Sequence, residues 1–256
     1  NGYTVRDGRV APAAFLSMTQ PHAAGALVST VDDLHRWNRA LHGGKLLAEN
    51  LYTDMVTPAG KAAPANYGFG IGRGTLRGRT QLQHGGGIFG FASHLLYVPQ
   101  GEISVAVLQN ADATVKGPTD PAVIAVRLAA FALGDPYPDP KPIEVDADTL
   151  KTYEGVYRID EGSARVVRVV DGRLTSQRTG SERLALMPIA KDRFLFEGML
   201  TWMEFERGAD GAISGMRFYQ DGEGEGVVAP RTTDPLPADR ASIELPVEQL
   251  QRLVGT

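Results

Sequence analysis

His84-Gly85-Gly86-Gly87 is the stretch of this chain with the clearest capacity for chemistry. An imidazole takes or gives a proton near neutral pH. Consecutive glycines leave the backbone bare, so a ligand or a second strand can approach its N–H groups closely. Those groups can then point at an anion or at a developing oxyanion. The run continues through Ile88, Phe89, Gly90 and Phe91 and sits between two segments rich in β-formers. A plain glycine-rich turn with an incidental His is the alternative reading of the same residues.

Other candidates carry less. Gly68, Gly70, Gly72 and Gly74 alternate, but no Lys-Ser or Lys-Thr follows as a phosphate loop needs, and no helix follows as a dinucleotide site needs. They read as part of a flat strand. His35 and His42 are two helical turns apart with no third ligand in sequence reach, so they read as surface histidines and no metal site is expected. His22 and His94 read as structural or exposed. Asp32 and Asp33 suit a helix N-terminus better than acid–base work. Trp37, Trp202 and the Phe residues of the C-terminal part read as core. The chain has 0 Cys, which excludes disulfides, Cys-ligated metals and a Cys nucleophile.

The elements that must position His84 follow from local pattern. Val31, Leu34, Trp37 and Leu41 recur at helical spacing. Thr30 stands before that run with Asp33 three residues on, and Gly43-Gly44 ends it. A second helix is expected from Ala48 to Val56, before Pro58. Strands are expected over Tyr67–Ile71, Arg79–His84, Phe89–Val98 and Glu102–Gln109, the last two joined at Pro99-Gln100-Gly101. Asp120 as N-cap and Pro121 at the first position open a helix that should bury Val123, Ile124, Leu128 and Phe131 and stop at Gly134.

Pro136, Pro138, Pro140 and Pro142 then alternate, as in an extended, stiff linker. Beyond them the pattern is all-β. Strands are expected over Tyr153–Ile159, Ala164–Val170, Arg173–Arg178, Leu184–Met187, Arg193–Glu197, Thr201–Arg207 and Ile213–Tyr219. Asp171-Gly172, Asp210-Gly211 and Asp221-Gly222 are hairpin-type turns between them. The order Ile143-Glu144-Val145, Leu150, Gly155 returns as Ile243-Glu244-Leu245, Leu250, Gly255, every member displaced by the same interval. This reads as the start of a second copy of the β-module, or as chance likeness of two amphipathic segments.

Composition bounds the rest. In 256 residues, Lys plus Arg is 26 and Asp plus Glu is 30, giving a net charge of −4. That balance argues against a nucleic-acid partner. Hydrophobic residues at 43% support a packed core. No apolar run approaches the roughly 20 residues of a membrane span. No basic-then-apolar leader opens the chain, which starts at Asn1 without Met.

The ordered blocks Gly2-Tyr3, Ala24 to Leu34, Tyr67-Gly68-Phe69-Gly70, His84-Gly85-Gly86, Gly90-Phe91, Tyr97-Val98-Pro99 and Val107 to Asn110 resemble the C-terminal half of the serine β-lactamase-related, penicillin-binding-protein-like hydrolases. The likeness covers about residues 2–134. The β-module resembles the lipocalin-like domain often appended to such enzymes. The resemblance implies an α/β (α+β) partial β-lactamase-like sandwich with an antiparallel sheet over 1–134. It then implies a linker at 135–142, a small all-β lipocalin-like barrel at 143–232, and a linker with a possible second module start at 233–256.

It also implies roles. His84-Gly85-Gly86 would be the third catalytic motif, with His84 contacting a substrate carboxylate or the proton-transfer network. The Gly87 N–H would be an oxyanion donor, and Gly85 and Gly86 would line the substrate. The implied partner is a small-molecule or peptide substrate, with no cofactor and no metal, and the implied location is periplasmic or secreted. A His-Gly-Gly-Gly oxyanion loop also occurs in α/β-hydrolases, but no Gly-x-Ser-x-Gly elbow exists here.

The departure from the family pattern is plain. No Ser in this chain has Lys three residues later, and no Tyr has Asn two residues later. The Ser-x-x-Lys nucleophile motif is therefore missing from these residues. The expectation is a fragment, inactive alone, that completes its site with a missing N-terminal segment. The alternative is a non-catalytic binding module, or a complementing chain, whose barrel holds a ligand or partner.

Overall fold

A computed structural model describes residues 1–6, 8–112, 120–220 and 222–238. Contacts divide the chain into two compact units. The first holds 1–144, 186–204 and 218–226, and the second holds 145–185, 205–217 and the chain from 227. The repeated segment after residue 242 lies outside the described residues.

The first unit is built on a four-stranded antiparallel sheet in the order β3-β4-β5-β6. Its strands are β3 (Gly72–Leu76), β4 (Arg79–Ile88), β5 (Phe91–Val98) and β6 (Ile103–Gln109). A short hairpin of β1 (Tyr3–Arg6) and β2 (Arg9–Pro12), unanticipated from sequence, precedes it. Helices α1 (Val31–His42), α2 (Glu49–Val56) and α3 (Pro121–Ala132) pack on the sheet.

Local chemistry explains where the helices begin. The Thr30 hydroxyl accepts from the Asp33 amide, capping α1, while Asp32 and Asp33 sit in its first turn. Gly43 takes the last turn's bond, and Gly44 follows at φ +72°. Asp120 caps α3 by accepting from the Ala122 amide, with Pro121 at the first position.

The packed faces differ from expectation in two helices. In α3 the buried residues are Ala125, Ala129 and Ala130, set against Leu76, Leu96 and Val98. Leu128 and Phe131 are exposed instead. This helix is apolar nearly all round, so periodicity could not choose its face, and the alanine side lets the helix sit close to the sheet. In α1, Trp37 is exposed and Asn38 and Leu41 are buried. The Asn38 amide donates to the Leu96 carbonyl and to Ser104 Oγ, so a buried polar group pins α1 to β5 and β6.

His42 also departs from the surface reading. Its ring stacks on Tyr97 at 4.3 Å between centroids, and Nδ1 lies 2.8 Å from Tyr52 Oη. Burial lowers its pKa to about 4. The unfolded chain, with an ordinary His42 near 6.5, binds the proton more readily than the folded one. Stability is therefore lost as pH falls from about 6.5 toward 4. His42→Phe keeps a ring against Tyr97 but cannot titrate. Melting temperatures taken from pH 7 to pH 4.5 should fall less steeply in that variant than in the parent chain.

The second sheet has eight strands in sequential order, β14-β13-β12-β11-β10-β9-β8-β7. They are β7 (Gly155–Arg158), β8 (Ala164–Val170), β9 (Arg173–Arg178), β10 (Arg183–Ala190), β11 (Arg193–Phe196), β12 (Trp202–Arg207), β13 (Ile213–Tyr219) and β14 (Val227–Pro230). A bridge from Tyr157 to Arg231 and the bond from the Thr232 amide to the Val156 carbonyl bring its two edges together. The sheet is thus nearly closed and barrel-like, which leaves little free edge. The turn at Asp171-Gly172 has both φ angles positive (50° and 75°), as a two-residue hairpin demands. Tyr153, Tyr157 and Phe205 form one aromatic cluster, and Phe196 meets Phe218 edge-on. Trp202 is only partly buried and stacks on Tyr219 at 3.8 Å. Before β7, α4 (Ala147–Thr152) is capped by Asp146, which accepts from the Thr149 amide.

Candidate active site

His84, Gly85, Gly86 and Gly87 all lie inside β4, not in a turn, so the glycine-rich-turn reading is corrected. The chain reverses later, at Phe89-Gly90, where Gly90 has φ +78°. On one side, β5 pairs with β4 from Leu82 to Ile88, placing Gly85 opposite His94, Gly86 opposite Ser93 and Gly87 opposite Ala92. On the other side, β3 pairs with β4 only from Arg79 to Gln83. Among the described residues, His84 to Ile88 therefore has a free strand edge. Every second backbone N–H and C=O along it is available to an extended ligand.

The missing partner has a local cause. Tyr67–Ile71, expected as a strand, is a tight loop, and β3 starts only at Gly72. Asn66 (φ 51°) and Gly70 (φ 75°) are both left-handed. A Cβ on Gly68 would lie 2.2 Å from the Met55 carbonyl oxygen, so only glycine fits there. Gly72 and Gly74 do lie in β3, where a Cβ would meet the Gln83 and Gln81 side chains at 2.7 and 2.9 Å.

Period-2 alternation sorts the site residues. His84 and Gly86 share a face of β4 with Leu82, which packs with Ile71, Tyr97, Met55 and Val56. Over that face the Tyr67 loop brings Oη to 2.8 Å from His84 Nε2, with the rings tilted 57° at 6.0 Å. Both side chains are exposed. A Cβ on Gly86 would sit 2.8 Å from Ser93 Oγ, so the Ser93 hydroxyl roofs that glycine. Tyr67 and Ser93 are the two neighbours of the site that sequence reasoning did not assign.

Gly85 and Gly87 face the other way. A Cβ on Gly85 would be 3.3 Å from His94 Nδ1, whereas one on Gly87 meets nothing within 4 Å. His94 is buried, and burial holds its pKa below the ordinary histidine value. Asp120 pulls the other way and His84 adds to the lowering. A cavity of about 280 Å³ opens beside Gly87, lined also by Leu16, Gln20, Pro21, Ile88 and Phe89. Nearby, Gly2 and Gly90 cross at backbone distance. A Cβ on Gly90 would lie 2.6 Å from Ala13 Cβ and 2.7 Å from Gly2 backbone atoms. Asp112 joins this crossing, accepting from the Gly90 amide and from the Thr4 hydroxyl.

Among the described residues, no group of three His, Cys, Asp or Glu side chains could hold a metal ion, and no helix is long and apolar enough to cross a membrane.

The first unit thus presents an antiparallel sheet with helices packed on it and a His-Gly-Gly strand at its free edge. The Beta-lactamase family model matches residues 1–129, half of the chain, and the chain belongs to that family. A domain of unknown function, DUF3471, matches residues 139–229. A D-aminopeptidase of Gluconobacter oxydans (strain 621H) is 30% identical over 129 residues, covering 50% of this chain and 23% of that protein. Penicillin-binding protein 4* of Bacillus subtilis (strain 168) is 26% identical over 215 residues, covering 80% of this chain and 46% of that protein. The chain thus spans less than half the length of either relative. Among solved structures, the octameric penicillin-binding protein homologue from Pyrococcus abyssi aligns at TM-score 0.47 and 21% identity, over 89% of this chain and 52% of that one.

Proposed function

We propose that this chain forms the third-motif wall of a serine hydrolase that cleaves an amide, ester or lactam through an acyl-enzyme. The observation that carries the reading is the free edge of β4 from His84 to Ile88. A substrate can lie along that edge as an added strand, with His84 and Gly87 flanking its reacting carbonyl. The Gly87 N–H is one oxyanion donor, and the second is the N–H of the nucleophilic serine. His84 contacts the substrate carboxylate, while Gly85 and Gly86 keep the edge bare for close approach.

In this reading the acylating Ser-x-x-Lys lies outside these 256 residues, since no Ser here has Lys three positions later. The residues presented here are then inactive alone. The exposed side chains of Phe15, Leu27, Val28 and Phe89 support a further segment packing here. The substrate is a small molecule or peptide, the reaction needs no cofactor or metal, and the site works in the periplasm or outside the cell. The eight-stranded sheet is a lipocalin-like module appended to the hydrolase domain near residue 143.

Intact mass spectrometry after incubation with a fluorophosphonate and with a fluorescent penicillin tests this. The 256-residue chain should stay unlabelled, and the gene product that carries upstream Ser-x-x-Lys should gain one adduct. A gene product with no such motif and no adduct would move the function to ligand binding by the β-module.

A further inference from the structure

Tyr67 is held over His84 by backbone geometry rather than by chance. Its own amide donates to the Ala62 carbonyl, the Gly68 amide to Ile71, the Phe69 amide to Met55, and the Arg73 amide to Asn66. Left-handed Asn66 and Gly70 bracket the segment, and Gly68 leaves no room for a side chain. A loop so constrained presents the phenol in one place, and that place is His84 Nε2, 2.8 Å away. Among the described residues, His84 Nδ1 has no hydrogen-bond partner.

We propose that Tyr67 is a positioning residue that fixes His84 as its Nδ1–H tautomer and turns that N–H into a donor for an anionic oxygen. This rests on the hydrolase reading above and deepens it. A phenol O–H is a better hydrogen-bond donor than a neutral imidazole N–H, and the bare imidazole nitrogen is a better acceptor than a phenol oxygen. The pair is therefore Tyr67 O–H to His84 Nε2. A neutral imidazole has one proton, so it resides on Nδ1. With Nε2 occupied, His84 cannot take a proton from a nucleophile through that atom. Its available action is to donate from Nδ1 to a carboxylate or oxyanion at the strand edge. Arriving ligands meet a ring whose tautomer is already chosen, which lowers the cost of ordering it.

The test uses the 256-residue chain with ¹⁵N-labelled histidine. Two-bond ¹H–¹⁵N spectra assign the tautomer of each of the 5 histidines, the other four serving as internal controls. His84 should read as Nδ1–H in the parent chain and move toward Nε2–H in Tyr67→Phe, with the rest unchanged. Acetate should then shift the His84 signals in the parent and shift them less in Tyr67→Phe. An Nε2–H His84 in the parent, a tautomer that ignores Tyr67→Phe, or an acetate response equal in both proteins would each overturn the proposal. Because the parent spectrum alone decides the tautomer, misfolding of the variant would not rescue it. Neither readout needs turnover. A His84 that behaves as described in a protein with no acylating serine would sink the hydrolase reading and leave the pairing standing.

Discussion

If the proposed hydrolase reading holds, His84→Ala should lower the rate of acylation up to about 100-fold in a gene product that carries this chain with an upstream Ser-x-x-Lys, while the fold is retained. The size follows from the role. A hydrogen bond to a charged group contributes about 1.5–3 kcal/mol, and every 1.4 kcal/mol is tenfold, so its loss at the substrate carboxylate costs roughly 10–100-fold. Retention of the fold follows from burial. His84 is exposed, its one hydrogen-bond partner is the exposed Tyr67, and the core on its face of the sheet is Ile71, Leu82 and Tyr97. Stopped-flow labelling with the fluorescent penicillin, whose carboxylate His84 would contact, alongside a melting curve, measures both quantities. Full-rate acylation in His84→Ala would remove His84 from the site.

The converse holds at Gly90, where the fold fails rather than the chemistry. Gly90→Ala should destabilise the first unit by about 3 kcal/mol. Part of this is the left-handed backbone at φ +78°, which costs a residue with a Cβ roughly 1–2 kcal/mol. The remainder is overpacking, typically 1–3 kcal/mol. The new methyl would meet Ala13 Cβ at 2.6 Å and the Gly2 backbone at 2.7 Å, and backbone cannot rotate away. At about 2–4 °C per kcal/mol, the melting temperature falls by roughly 6–12 °C. Gly87→Ala is the control, because a Cβ there meets nothing within 4 Å. Equal melting temperatures for Gly90→Ala and the parent chain would show that the Gly2–Gly90 crossing carries no stability.

These two glycines show which features a sequence can display. Helix starts were readable because their chemistry is local. Thr30 with the Asp33 amide, and Asp120 with Pro121, each act within three residues. The hairpin turn at Asp171-Gly172 was readable for the same reason. The His-Gly-Gly-Gly run was visible, but its placement was not. That it is strand and not turn depends on its pairing with β5, and that its other edge is free depends on β3 beginning late, where Gly68 and Gly70 bend the chain. The packed face of α3 was hidden by its uniformly apolar composition. Small Ala125 and Ala129 face the sheet in place of Leu128, the core residue expected from its size. The burial of His42 and the Tyr67–His84 contact were invisible for another reason. Each joins residues brought together by tertiary packing, Tyr67 and His84 being 17 positions apart, and no local pattern encodes that.

The most direct test of the account is a crystal structure of the acylated gene product. It should place the acyl carbonyl oxygen about 2.7–3.1 Å from the Gly87 nitrogen, the distance an oxyanion donor requires. The rest of the acyl group should run along β4 beside His84. An acyl group held at another strand, with the edge from His84 to Ile88 empty, would contradict it.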